Sequence, residues 1–150
     1  MLPRGYTVTP GEKTTTISGK GKAGLKQEEN YYFFYLPVCY KGITGKSYAY
    51  YNTSRSKNLY LPASVDENYS YDIQLPENLT LCTPIQEKKI DNPIGSFKIT
   101  LTSEGSSLHI ELALQIKKQL ITPAEYPAFR SLITEWTDRT RKPILFKTVQ

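Results

Sequence analysis

At 150 residues and 17.1 kDa, with 39% hydrophobic and 22% charged residues, the chain is sized for one globular domain and is too apolar to be disordered. The net charge of +5 suits an anionic partner, but the lysines are scattered, which fits a solvated basic surface and argues against nucleic acid. No apolar run is long enough for a membrane-spanning helix, and none follows Met1-Leu2-Pro3-Arg4 as a signal peptide requires. That leaves a cytoplasmic protein or a piece of a longer exported chain. Twelve tyrosines against one tryptophan and one methionine favour β-structure, where aromatic rings suit half-buried surfaces. Cys39 and Cys82 permit one disulfide or two separate buried thiols, and their spacing does not choose.

Residues 1–30 read as an N-terminal segment of strands and linker, distinct from a β-rich unit over 31–150. Tyr6-Thr7-Val8 and Thr14 to Ile17 have strand composition. Gly19 to Gly24 is a link or hairpin loop that also spells G-x-G-x-x-G. A dinucleotide site needs a helix directly after those glycines, and only six residues separate Gly24 from the next strand. That strand, Tyr31 to Tyr40, is apolar at both parities, so both of its faces should be covered. Pro37 marks a bulge, an end or an edge. A long loop over 41–57 follows, with a possible short strand near Tyr48 to Tyr51. Gly45-Lys46-Ser47 resembles the end of a phosphate-binding loop, but Tyr40 stands where that motif needs glycine, and no helix follows.

Short strands are expected at 58–62, 68–75, 79–82 and 86–90. Tyr69, Tyr71, Ile73 and Leu75 alternate on one face of the second. Asp91 to Gly95 has turn composition. Then comes the clearest hairpin. Phe97, Ile99 and Leu101 share a face, Glu104-Gly105 makes the turn, and residues 107–121 form the central strand. In that strand Leu108, Ile110, Leu112, Leu114 and Ile116 repeat every second position. A turn at 104–105 pairs Leu101 with Leu108, Ile99 with Ile110 and Phe97 with Leu112, and Leu112 is expected among the most buried residues.

Thr122-Pro123-Ala124-Glu125 fits a capping box, or else a tight turn with the helix starting at Pro127. Tyr126, Phe129, Leu132, Ile133 and Trp136 lie on one face of that helix. Arg139, Arg141 and Lys142 favour its C-terminal end, Pro143 stops it, and Ile144-Leu145-Phe146 makes a last strand. The fold class is mainly β: an antiparallel β-sandwich with one C-terminal α-helix packed on the sheet.

Catalytic chemistry has little material. His109 is the sole histidine, on the face opposite the Leu/Ile stripe, and nothing local supports a Cys-His or Ser-His nucleophile pair built on it. Two Cys and one His cannot supply four zinc ligands, so no metal or cofactor is expected. The candidate binding surface is the aromatic and basic loop, with Lys46, Tyr48, Tyr50, Tyr51 and Arg55 available to stack on sugars or bases.

The runs Leu59-Tyr60-Leu61-Pro62, Tyr69-Ser70-Tyr71, Leu75-Pro76-Glu77, Gly95-Ser96-Phe97, Leu108-His109-Ile110, Tyr126-Pro127-Ala128-Phe129 and Pro143 to Lys147 occur in order. In these the chain from about residue 31 to 147 resembles the C-terminal domain of unknown function of Bacteroidetes transglutaminase-like proteins, which follows their papain-like core. The resemblance implies a non-catalytic domain, normally periplasmic or extracellular, that docks on the adjacent transglutaminase-like catalytic domain or positions substrate for it. The family's catalytic residues belong to that core, and neither Cys39 nor Cys82 lies in such a motif. The alternative is a free-standing glycan or cell-surface binding module using loop 41–57.

Overall fold

The computed structural model describes residues 6–12, 14–22, 24–37, 43, 54–138, 140 and 143–148. The N-terminal strands β1 (Tyr6–Pro10) and β2 (Thr15–Gly19) form an exposed hairpin. Then come β3 (Lys26–Glu28), β4 (Tyr31–Tyr35), β5 (Leu59–Tyr60), β6 (Val65–Gln74), β7 (Leu79–Leu81), β8 (Gln86–Asn92), β9 (Gly95–Glu104), β10 (Ser107–Ile116) and β11 (Leu120–Ile121). Helix α1 (Tyr126–Thr137) and β12 (Pro143–Thr148) complete the order. One antiparallel sheet runs β6-β10-β9-β8 and a second runs β3-β4-β12-β7. Strands β5 and β11 pair separately.

The alternation of β9 and β10 sends one full face of the first sheet inward, and two different covers share it. Toward the β9–β10 turn, Leu101, Leu108 and Ile110 pack with Ile144, Phe146, Leu79 and Leu36 of the second sheet and its flank. Toward the other end, Phe97, Ile99, Leu114 and Ile116 pack with Phe129, Leu132, Ile133 and Trp136 of α1. The molecule is therefore a sandwich over half of the first sheet and a helix-on-sheet layer over the rest.

The hairpin register differs from expectation by two residues. Glu104 pairs with Ser107, so Leu101 faces Ile110, Ile99 faces Leu112 and Phe97 faces Leu114. The turn is Gly105-Ser106, and Gly105 holds φ 57° at its first position, where a type II′ turn wants glycine. Placing the turn at 104–105 would put that glycine second. Alternation could not reveal the error, because a slip of two keeps every apolar residue on the same face. Leu112 is half-buried rather than among the most buried, since it touches both hydrophobic clusters at the seam where one cover ends and the other begins.

Helix α1 starts one residue before Pro127, and the capping-box bonds form in the turn ahead of it. The Glu125 carboxylate accepts from the Thr122 backbone N–H and hydroxyl, each at 3.1 Å, and the Glu125 backbone N–H donates to the Thr122 side chain at 3.4 Å. Pro127 sits in the first helical turn, where its missing N–H has no intrahelical acceptor to lose. Trp136 meets the edge of Phe97 at 6.4 Å between ring centroids. On the inner face of β8, Lys88 pairs with Glu135 of α1 at 2.5 Å, and the Asn92 amide donates to the Ala128 carbonyl at 3.1 Å. The Asn92 carbonyl oxygen also accepts from the N–H groups of Ile94 and Gly95, so one side chain holds both the β8–β9 turn and the helix. Arg139, Arg141 and Lys142 lie outside the described residues.

Candidate functional site

Of the loop positions read as a binding surface, Lys46, Tyr48, Tyr50 and Tyr51 lie outside the described residues. Arg55 is described and half-buried, with its guanidinium carbon 5.8 Å from the centroid of the Tyr126 ring. That cation–π contact fastens the approach to β5 onto the start of α1. Beside it an open cleft of about 410 Å³ runs between α1 and β8, lined by Ser54, Ile90, Pro127, Arg130, Ser131 and Thr134 among others. Cys82 is a half-buried free thiol that follows β7, and Cys39 lies outside the described residues.

His109 sits on the outer face of the first sheet, as parity predicts. Register places it between Asp72 on β6 and Thr102 on β9, with Glu111 two residues along its own strand. Its Nδ1 is 2.7 Å from an Asp72 oxygen and its Nε2 3.4 Å from a Glu111 oxygen. The other Glu111 oxygen accepts from Lys98 at 2.8 Å and from the Thr100 hydroxyl at 3.3 Å. The carboxylates of Asp72 and, secondarily, Glu111 hold the His109 pKa above its ordinary 6.5. Lys98 first, then His109, pulls the Glu111 carboxyl below its ordinary 4.5. A general base needs a free ring nitrogen facing a nucleophile, and both nitrogens of His109 face carboxylates instead. Among the described residues, no group of three or more His, Cys, Asp or Glu side chains is arranged to hold a metal ion.

A different surface escaped the sequence reading. In the second sheet Tyr32, Phe34, Ile144 and Phe146 point inward to the first sheet. The alternate residues Tyr31, Phe33, Tyr35 and Leu145 therefore point outward, with Phe33 directly paired to Leu145 and Tyr35 to Pro143. Tyr31 is 46% exposed and Tyr35 52% exposed. The expectation that β4 is covered on both faces fails on this side for these two tyrosines. Lys26 of β3 lies over the Tyr35 ring at 5.7 Å, and Lys147 of β12 pairs with Tyr31. The signal was present in the both-parity apolar pattern of Tyr31 to Tyr35.

The chain resembles the crystal structure of a "putative protease" from Parabacteroides distasonis, with 30% identity and a TM-score of 0.66. The likeness covers 81% of this chain but only 24% of the other, so this chain spans about a quarter of that protein. Among curated proteins nothing matches. No helix of the described residues is long and apolar enough to cross a membrane. Residues 29–146 match the model of DUF3858, a domain of unknown function with solved structure. The chain belongs to that family.

Proposed function

We propose that the chain is a non-catalytic accessory domain of a larger protein, where it docks on, or positions substrate for, a papain-like core of the transglutaminase or peptidase kind. The observation that carries this reading is the span of the likeness: the chain corresponds to a quarter of a larger protein described as a "putative protease". Two features agree with it. Both ring nitrogens of the one histidine are held by carboxylates, so neither is aimed at a nucleophile. The fold class hosts many unrelated functions and by itself assigns no activity to this chain, which agrees with an activity carried by the rest of the larger protein. The same reading places the protein in the periplasm or outside the cell, and fractionation of cells that make it tests that placement.

The test is an amide-shift titration of the chain with the remaining three quarters of the Parabacteroides protein. Contacts between domains of one chain are modest in area, so binding in trans is expected to be weak but saturable. Shifts confined to one surface support the reading. Absence of any shift at about 1 mM of that partner overturns it.

A further inference from the structure

We infer that the outward face of the second sheet, built on Tyr31, Phe33, Tyr35 and Leu145, is the surface that meets the core domain of the larger protein. The inference rests on the accessory-domain reading and names the partner's contact surface.

Three observations select this face. First, β4 is aromatic at every position, and its inward half alone completes the sandwich core: Tyr32 and Phe34 pack there with Ile144 and Phe146. The outward half contributes nothing to that core, and Tyr31 and Tyr35 keep about half of their surface in water. Tyrosine clusters of this kind are enriched at protein interfaces. Second, the chain path brings a neighbour here. The family-matched stretch begins at residue 29, between β3 and β4, and ends at residue 146, within β12. Both of its ends lie in this one sheet, so a domain joined after β12 is tethered next to the face, and one joined before residue 29 reaches it through the N-terminal hairpin and β3, itself a strand of this sheet. Third, the local chemistry fits a folded protein better than a flat polysaccharide. The Phe33 and Tyr35 rings stand edge to face, 87° apart with centroids at 5.8 Å, so they form a stepped surface rather than a level platform. Lys26, Lys147 and Glu28, which pairs with Tyr31, lie on the same face, so the partner's apolar patch should carry charges of both signs at its rim, with carboxylates facing the two lysines.

The experiment uses the complete chain in place of the matched quarter of the Parabacteroides protein, with hydroxyl-radical footprinting of the chimera and of the chain alone. Labelling of Tyr31, Phe33, Tyr35 and Leu145 is expected to fall in the chimera, while Tyr60, 69% exposed and on β5, labels equally in both. The double variant Tyr31→Lys, Tyr35→Lys should restore labelling of Leu145 in the chimera, while the isolated chain, which loses the Tyr35 contacts with Lys26 and Phe33, still unfolds cooperatively at a somewhat lower Tm. Tyr60→Lys should leave the footprint unchanged. Protection confined to another surface, such as residues 41–57, overturns the inference and leaves the accessory reading standing. No protection anywhere in the chimera overturns both. Protection of the same residues in the chain alone as its concentration rises, or by added soluble oligosaccharide, assigns the face to a second copy or to a glycan and overturns the inference.

Discussion

Gly95, the first residue of β9, lies so close to Gln115 of β10 that a Cβ built on it would sit 1.9 Å from the Gln115 carbonyl oxygen. Gly95 pairs with Ile116 at the end of the ladder, directly after the Asn92 turn that is tied to α1. The contact is backbone against backbone, so no side chain can swing aside to relieve it. Gly95→Ala is expected to destabilise the fold by about 1–3 kcal/mol through forced separation of β9 and β10. Urea unfolding measures this, and a variant as stable as the parent would show that the strands do not approach so closely.

Ile110 and Leu112 share the inward face of β10 but should respond differently to truncation. Ile110 is fully buried under the second sheet, and Ile110→Ala should cost about 2–5 kcal/mol. Leu112 is half-buried at the seam between the two covers, so Leu112→Ala should cost distinctly less. Equal losses in chemical denaturation would show that the seam is closed.

The His109 cluster predicts a pH dependence whose sign follows from the shifts. The His109 pKa is raised, so the stabilisation from its protonated form is fully present below its ordinary 6.5 and is lost as pH rises through the folded-state value. The Glu111 pKa is lowered, so its contribution is present above its ordinary 4.5 and is lost as pH falls through the folded-state value. The cluster therefore supports the fold best between those two ordinary values. The groups are exposed, so added salt should weaken the effect. A proton NMR titration of the His109 ring should give a pKa above 6.5 that drops in Asp72→Asn. A value at or below 6.5 in the parent chain contradicts the contact.

Cys82 is expected to react with a thiol reagent in unreduced, denatured protein, since its sulfur is free in the structure. Mass analysis after alkylation checks this. An unlabelled Cys82 that becomes labelled only after reduction would reveal a disulfide.

The parts of the fold that could be read from the sequence are those with a repeated apolar stripe. The faces of β9 and β10, and the Tyr126, Phe129, Ile133, Trp136 face of α1, follow from periods of two and about three and a half, because burial selects side chains at those intervals. Strand β3 is three residues long and carries no period to detect; β5 falls within the strand expected at 58–62, but β11, expected as the end of the central strand, breaks off from β10 after Ile116 and pairs with β5 instead. The hairpin register was fixed only to within two residues until the conformation of Gly105 decided it. Leu112 looked like its stripe neighbours, and only the boundary between two covering layers sets it apart. For the candidate site, Tyr31 to Tyr35 announced two apolar faces, but composition cannot say which of them the fold covers and which it leaves exposed.

The central claim is that this chain acts by contact and performs no chemistry alone. The most direct measurement is turnover by the purified chain on a mixed peptide library and on glutamine-containing peptides with an added amine. No product above the buffer control is predicted, for the parent and equally for His109→Asn and Cys82→Ser. Turnover by the parent chain that disappears in either variant would contradict the claim.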